Sequence, residues 1–162
     1  MKALFLILTD LPCLDQTESA KPPEQPRFFR VDFVVKEIEG TRVVNSRTYG
    51  MNVSSYSKGS IRSGDKVPVP AAKDGSFTFL DVGVNIDWQV DGVTQNQQVP
   101  MHVAADISNV TSEKPGAPPV IGQTKSSSNL IVPLRKETNV FSADSTTTKR
   151  QMQLDVTVTP IP

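Results

Sequence analysis

The chain has 162 residues, enough to bury a core of its own as one domain. Its 17 basic and 17 acidic residues cancel and are scattered, so there is no basic stripe of the kind that grips nucleic acid. Thirteen prolines, abundant Ser, Thr and Val, and few Leu or Ala argue against a helical chain. No apolar run approaches the ~20 residues of a transmembrane helix.

Lys2 followed by residues 3–8 (ALFLIL), with Ser19 and Ala20 further on, reads as a short secretory signal peptide over residues 1–20. Asp10 cuts the apolar run short, and Leu11-Pro12-Cys13 has some likeness to a lipoprotein cleavage box. Export to the periplasm, the outer-membrane surface or the medium follows from this segment. Cys13, the only cysteine, lies inside it, so the domain beyond is expected to hold neither a disulfide nor a cysteine nucleophile. Residues 21–27 (KPPEQPR) make a proline-rich linker, and residues 28–161 are expected to form a single β domain.

Phe29, Val31, Phe33 and Val35 alternate with polar residues as a first strand, and Glu39-Gly40 turns the chain into a second, more polar one ending near Val53. Residues 60–69 (SIRSGDKVPV) make a broken strand whose Pro68 and neighbouring Pro70 confine it to a sheet edge. A turn at Lys73-Asp74-Gly75 then leads into the stretch around which the rest is organised.

That stretch is residues 77–110, read as one long β-hairpin. Val82, Val84, Ile86, Trp88 and Val90 share one face of the first limb, and Val99, Met101, Val103, Ala105 and Ile107 share one face of the second. Asp91-Gly92 supplies the turn signal. A two-residue turn would pair Val84 with Val99. A four-residue loop would pair Ile86 with Val99 and Val84 with Met101, and it is preferred because it covers more apolar surface. Either choice keeps the apolar residues together, since only an odd slip inverts the faces. Phe77 and Phe79 are out of phase with Val82, which predicts a β-bulge near Leu80-Asp81.

Beyond a loop at 111–119, residues 120–134 are strand-like, with Leu130, Val132 and Leu134 on one face. A short strand begins at Val140-Phe141, residues 142–147 make a polar turn, and residues 149–161 close the series with Met152, Leu154, Val156 and Val158 inward. Seven or eight strands with turns every 8–15 residues predict an all-β, mainly antiparallel sandwich. Val84, Ile86, Trp88, Met101, Val103, Leu154 and Val156 form the expected core.

Catalytic signatures do not assemble. His102, the only histidine, points away from the apolar face, next to Asp106 and across the ladder from Asp87 or Asp81. A lone imidazole without convergent ligands reads as a solvated side chain, not a metal site. No G-x-S-x-G elbow and no glycine-rich phosphate loop occurs. Asp81, Asp87, Asp91 and Asp106 are turn or solvent-face carboxylates before they are an acid–base pair. Arg62 is expected to pair with Asp65 or with the outer face of a strand. Trp88 reads as a core anchor, with a ligand platform as the rival. No catalytic, cofactor-binding or metal-ligating residue is therefore assigned, no cofactor is expected, and a hydrolase ranks last among the functions.

From residue 60 onward the order of pieces resembles the β-domain of bacterial secretins, the outer-membrane ring proteins of secretion and pilus systems. The pieces are SIRSGDKVPVP, FTFLDVGVNIDWQV, VPMHVAADISNV, APPVIGQTKSSSNLIVPLRKE and KRQMQLDVTVTPI. Where secretins carry a glycine-rich turn, this chain has Lys136-Glu137-Thr138-Asn139, and the long gate and membrane-lip segment has no counterpart. The resemblance implies a stand-alone relative of that β-module, without the ring-building domains.

Two functions are carried forward. One is an exported, non-catalytic β-module that acts by protein contact in the envelope or outside the cell. The other is a secretin-like component that oligomerises at the outer membrane. Polar outward positions (Asn85, Asp87, Gln89, His102, Asp106, Gln153, Asp155) lack the second apolar band of a lipid-facing barrel strand and favour the first, with little membrane contact. A protein partner is expected, including a second copy joined by strand addition through residues 28–38, which follow the linker.

Overall fold

The computed structural model describes residues 27–70, 76–94, 96–112, 119–145 and 149–162. The signal-peptide reading of 1–20 and nearly all of the linker at 21–27 lie outside the described residues, as do the turn at 73–75 and parts of the loops at 111–119 and 142–147.

Eight strands follow in order: β1 (Phe28–Glu39), β2 (Arg42–Ser54), β3 (Ser57–Pro70), β4 (Phe77–Val90), β5 (Gln98–Ser112), β6 (Val120–Pro133), β7 (Thr138–Asp144) and β8 (Arg150–Ile161). They pair antiparallel in two four-stranded sheets, β2-β1-β8-β7 and β3-β4-β5-β6. This is the sandwich that the period-2 alternation predicts. Two tight corners carry the chain between the sheets. Ser55-Tyr56 joins β2 to β3, with Tyr56 at a φ of 60°, and residues 134–137 join β6 to β7, with Arg135 at a φ of 61°. Ser55 N donates to Arg27 O at 2.8 Å and Arg135 N to Val158 O at 2.8 Å, tying both corners to sheet β2-β1-β8-β7.

The core lies where the inner faces meet. Phe29, Val31, Phe33 and Val35 of β1, with Leu154, Val156 and Val158 of β8, pack against Val84, Ile86, Trp88 and Val90 of β4 and the alternating apolar residues of β5. All seven expected core residues are buried, and each such side chain contributes about 1.5–3 kcal/mol on leaving water. Trp88 is 8% exposed, which settles it as a core anchor rather than a ligand platform. Its indole lies across Gly59, the residue opposite on β3, where an added Cβ would come within 2.6 Å of Cζ2.

Four expectations need correction. Residues 28–38 have no free edge, because β1 is hydrogen-bonded to β2 on one side and to β8 on the other along its whole length. Strand addition through that segment is therefore closed off. The β4–β5 register is neither of the two expected: Val90 faces Met101, Trp88 faces Val103 and Val84 faces Ile107. The slip is even, so the faces stand, but the connection is longer than Asp91-Gly92 suggests. It is closed by Asp91 N donating to Pro100 O at 3.0 Å and Thr94 N to Gln98 O at 2.8 Å, with Gln97 at a φ of 56°. Finally, the β3–β4 register runs unbroken from Ser57↔Val90 to Pro70↔Phe77, so β3 is continuous where 60–69 was expected to be broken, and there is no bulge at Leu80-Asp81. Phe77 and Phe79 stay out of phase with the core and are exposed.

Candidate interaction surface

Two features of this frame bear on function: its open strand edges, and a projecting arm. The edges come first. β2 and β3 are the outer strands on one flank, joined by their corner, and β6 and β7 are the outer strands on the other. An outer strand presents unpaired N–H and C=O groups that accept another strand unless something blunts them. On β3 the blunting residues are Lys58, Lys66, Pro68 and Pro70; on β6 they are Lys125 and Pro133. The sequence reading of 60–69 as an edge strand agrees with this placement.

The arm begins at a glycine pair. β4 is bonded to β5 only from Val84 to Val90; from Phe77 to Gly83 its partner is β3 alone. Gly64 and Gly83 face each other at the parting point, and a Cβ on either would run into the backbone of the other strand. Ser108 caps the end of the β4–β5 ladder, its Oγ accepting from Gly83 N at 3.0 Å and donating to Gly83 O at 3.4 Å. Val82 is still buried, and beyond it the end of the ribbon, residues 66–70 and 77–81, stands clear of the core. Phe77, Phe79, Pro68 and Pro70 occupy one face and Val67, Val69 and Leu80 the other. Phe77 is 62% exposed and Phe79 59%. Below them an exposed pair, Lys66 Nζ to Asp81 Oδ1 at 2.7 Å, ends the apolar band.

The remaining polar groups form structural pairs. Arg62 reaches Asp87, not Asp65, at 2.6 Å and also donates to the Ile86 carbonyl at 3.3 Å. Lys125 meets Asp106 at 3.1 Å. His102 does lie on the outer face, but its cross-strand neighbours are Gln89 and Asn129, and Nδ1 bonds Asn129 Oδ1 at 2.8 Å. The true β4–β5 register moves it away from Asp81 and leaves Asp87 diagonally across the ladder, two residues from Gln89. Among the described residues no three His, Cys, Asp or Glu side chains gather as a metal site would require.

One charged group was misjudged from the sequence. Asp155 has the outward parity expected of it but is only 1% exposed. Lys36 Nζ lies 2.8 Å from its Oδ2, Asn139 Nδ2 donates to Oδ1 at 2.9 Å, and Gln153 Nε2 donates to both oxygens. A register shift between Asn139 and Phe141 turns the Asn139 amide toward this carboxylate. Burial pulls the Asp155 carboxyl upward, but hydrogen bonds from Lys36, Asn139 and Gln153 outweigh it and hold the group below its ordinary value. The bond to Asp155 raises Lys36 in turn; burial opposes this, and Glu137 at 3.1 Å adds to it. Four donated bonds satisfy the carboxylate, so the cluster clamps β1, β8 and β7 together and has no reactive group to spare.

Set against known structures, this arrangement has clear counterparts. The type II secretin GspD of enteropathogenic Escherichia coli superposes with a TM-score of 0.57 at 8% identity, over 86% of this chain and 70% of that one. The fold is secretin-like. The InvG secretin-domain β-barrel of the Salmonella SPI-1 injectisome follows at 0.53 and 9% identity, over 85% of this chain and 62% of InvG. PulD, in the Klebsiella pneumoniae type II secretion outer-membrane complex, gives 0.50 at 8% identity over 85% and 39%. The chain thus spans less than two thirds of the InvG and PulD chains. No protein-family model matches the sequence, and no curated protein matches it either. The secretin-like resemblance read from the motifs is therefore visible in three dimensions.

Proposed function

We propose that this chain is a non-catalytic β-module of the bacterial cell envelope that works by protein contact, and that the contact is made flank to flank between copies. The observation that carries this reading is the arrangement of the four open edges. β3 runs opposite in direction to β6, and β2 opposite to β7. Placing the β2/β3 flank of one copy beside the β6/β7 flank of the next continues both sheets as antiparallel ladders at once. Such a head-to-tail contact closes into a ring when the rotation per copy permits. The solved relatives in fold are secretins, one of them described as a β-barrel and another as part of an outer-membrane complex, which supports an envelope role. This choice moves the secretin-like alternative ahead of the isolated module.

Export rests on residues 1–20 and is part of the proposal. Fractionation of cells expressing the full chain should recover it with the envelope or in the medium, and light scattering should show mass rising in steps with concentration. Ser127→Arg puts a new cation on the exposed face of β6, level with Ser60 and between Lys58 and Arg62 on the β3 flank of a neighbour. Like charges across a ladder repel, so this variant should associate less while unfolding at the same temperature. A full-length chain that stays monomeric at every concentration would sink the proposal.

A further inference from the structure

We propose that the arm formed by residues 64–70 and 77–83 is a clasp for a second copy of this chain, packing against the start of the neighbour's β6 and the end of its β5. The inference rests on the flank-to-flank reading and adds to it a specific side-chain contact.

The argument begins with the arm's two apolar faces. A ribbon that lies on one surface needs one apolar face; this one has Phe77, Phe79, Pro68 and Pro70 on one side and Val67, Val69 and Leu80 on the other. Something must therefore cover both. The lipid hydrocarbon region is one candidate, and the backbone argues against it. Residues 77–83 of β4 are bonded only on the β3 side, so the ribbon would carry unpaired N–H and C=O groups into hydrocarbon, where only helices and closed barrels are stable. The band is also short, about 13 Å for four residues per strand, well below the ~30 Å of a hydrocarbon core.

A second copy meets both demands. Extending the paired registers across the sheet places Val67 at about the same height as Val120. Val120 is 50% exposed, and Val110 and Ile121 beside it are half-buried, on the flank opposite the arm. In a flank-to-flank contact the arm of one copy therefore comes up against this apolar rim of the next. Pro68 and Pro70 lack N–H groups, so this part of the β3 edge brings fewer donors that need a partner. The Gly64–Gly83 parting and the Ser108 cap let the arm leave its own sheet without stranding the end of the β4–β5 ladder.

Two single-cysteine chains test the contact, one with Val67→Cys and one with Val120→Cys, both with Cys13→Ser. Within one copy these positions lie three strand spacings apart, about 14 Å, beyond the ~7 Å reach of a disulfide. The mixed chains should give a disulfide-linked dimer on mild oxidation, and neither alone should. Phe79→Ser/Leu80→Ser in the full chain should weaken self-association at least tenfold with no change in thermal unfolding. Oligomers that form without the mixed disulfide, or that are indifferent to the Phe79/Leu80 change, would overturn the clasp and leave the flank contact standing. A full chain that is monomeric throughout would overturn both. So would a monomer that sediments with phosphatidylethanolamine/phosphatidylglycerol vesicles in a Phe79-dependent way, because the arm's partner would then be lipid.

Discussion

The two halves of β4 share one strand, one neighbour in β3 and a similar apolar content, yet they end in opposite environments. From Val84 to Val90 every even residue is buried; from Phe77 to Asp81 every residue is exposed. What separates them is the third strand. β5 accompanies only the upper numbers, and the packed core cluster likewise reaches no further down β4 than Val84, so the same alternation yields a core in one half and a projecting arm in the other. Apolar pattern marks which face a residue occupies; burial is conferred by what lies opposite that face.

Substitutions along and around this strand should make the difference measurable. The largest effect is expected at Trp88. Trp88→Ala should lower unfolding free energy by about 3–5 kcal/mol in denaturant titration, as aromatic truncations in packed cores do. A value under about 1 kcal/mol would place the two halves of β4 on an equal footing and undo the contrast.

Asp155 offers the polar version of the same lesson, since its burial is likewise conferred by neighbours. Asp155→Ala leaves Lys36 without its main partner and should cost about 3 kcal/mol. The pH dependence has a defined sign. The carboxyl is held below its ordinary value, so its stabilisation is complete above the unfolded value of about 3.9 and is lost as pH falls through the folded one. Lys36 is raised, so its share is complete below about 10.4 and is lost as pH rises through its folded value. Chemical denaturation of the protein and of Asp155→Asn should therefore differ by a constant amount from about pH 5 to pH 10, with the gap closing in acid and in strong base. A gap that widens below pH 4 would mean that the carboxylate is not the stabilised form.

A smaller cost belongs to the junction between the halves. Gly83→Ala drives a Cβ against the Ser63 carbonyl and the Gly64 backbone, and should cost about 1–3 kcal/mol, measured by thermal unfolding. The smallest effect is at the arm. Phe79→Ala should change the stability of the monomeric form by less than about 0.5 kcal/mol, as exposed substitutions do. A loss comparable to that of Trp88 would show that the arm folds back onto a surface of its own chain.

Much of this was legible beforehand, and the omissions have a common cause. Period-2 alternation located the strands, the long hairpin and the inward residues of β4, β5 and β8, because side-chain alternation is a local property of extended backbone. The β4–β5 register was not legible. Asp91-Gly92 is a strong turn signal, but the packing of Val90 against Met101 and of Trp88 against Val103 outweighs a two- or four-residue loop, and the even slip conceals the error from any count of faces. Phe77 and Phe79 suggested a bulge only on the assumption that aromatic residues must turn inward. The placement of β1 between β2 and β8, and the enclosure of Asp155 by Lys36 and Asn139, join residues more than a hundred or about sixteen positions apart, and no local pattern announces either. His102 was put on the correct face, but register decides that Gln89 and Asn129 stand opposite it; Arg62 took the outer-face alternative, at Asp87, and not Asp65.

The pairing of β1 with β8 has a kinetic side. Residues 28–39 lie against residues 150–161 for their full length, and β7 reaches its sheet only through β8. A nascent chain can form the β1–β2 hairpin and all of β3-β4-β5-β6 while the slot between β1 and β7 is still empty. Contacts of such wide sequence separation are closed late and slowly, which leaves Leu154, Val156 and Val158 as the side chains that seal the domain. Until they arrive, the long exposed side of β1 is the segment a holding chaperone would most readily occupy, and a chain stalled before residue 150 would present that open strand to its neighbours.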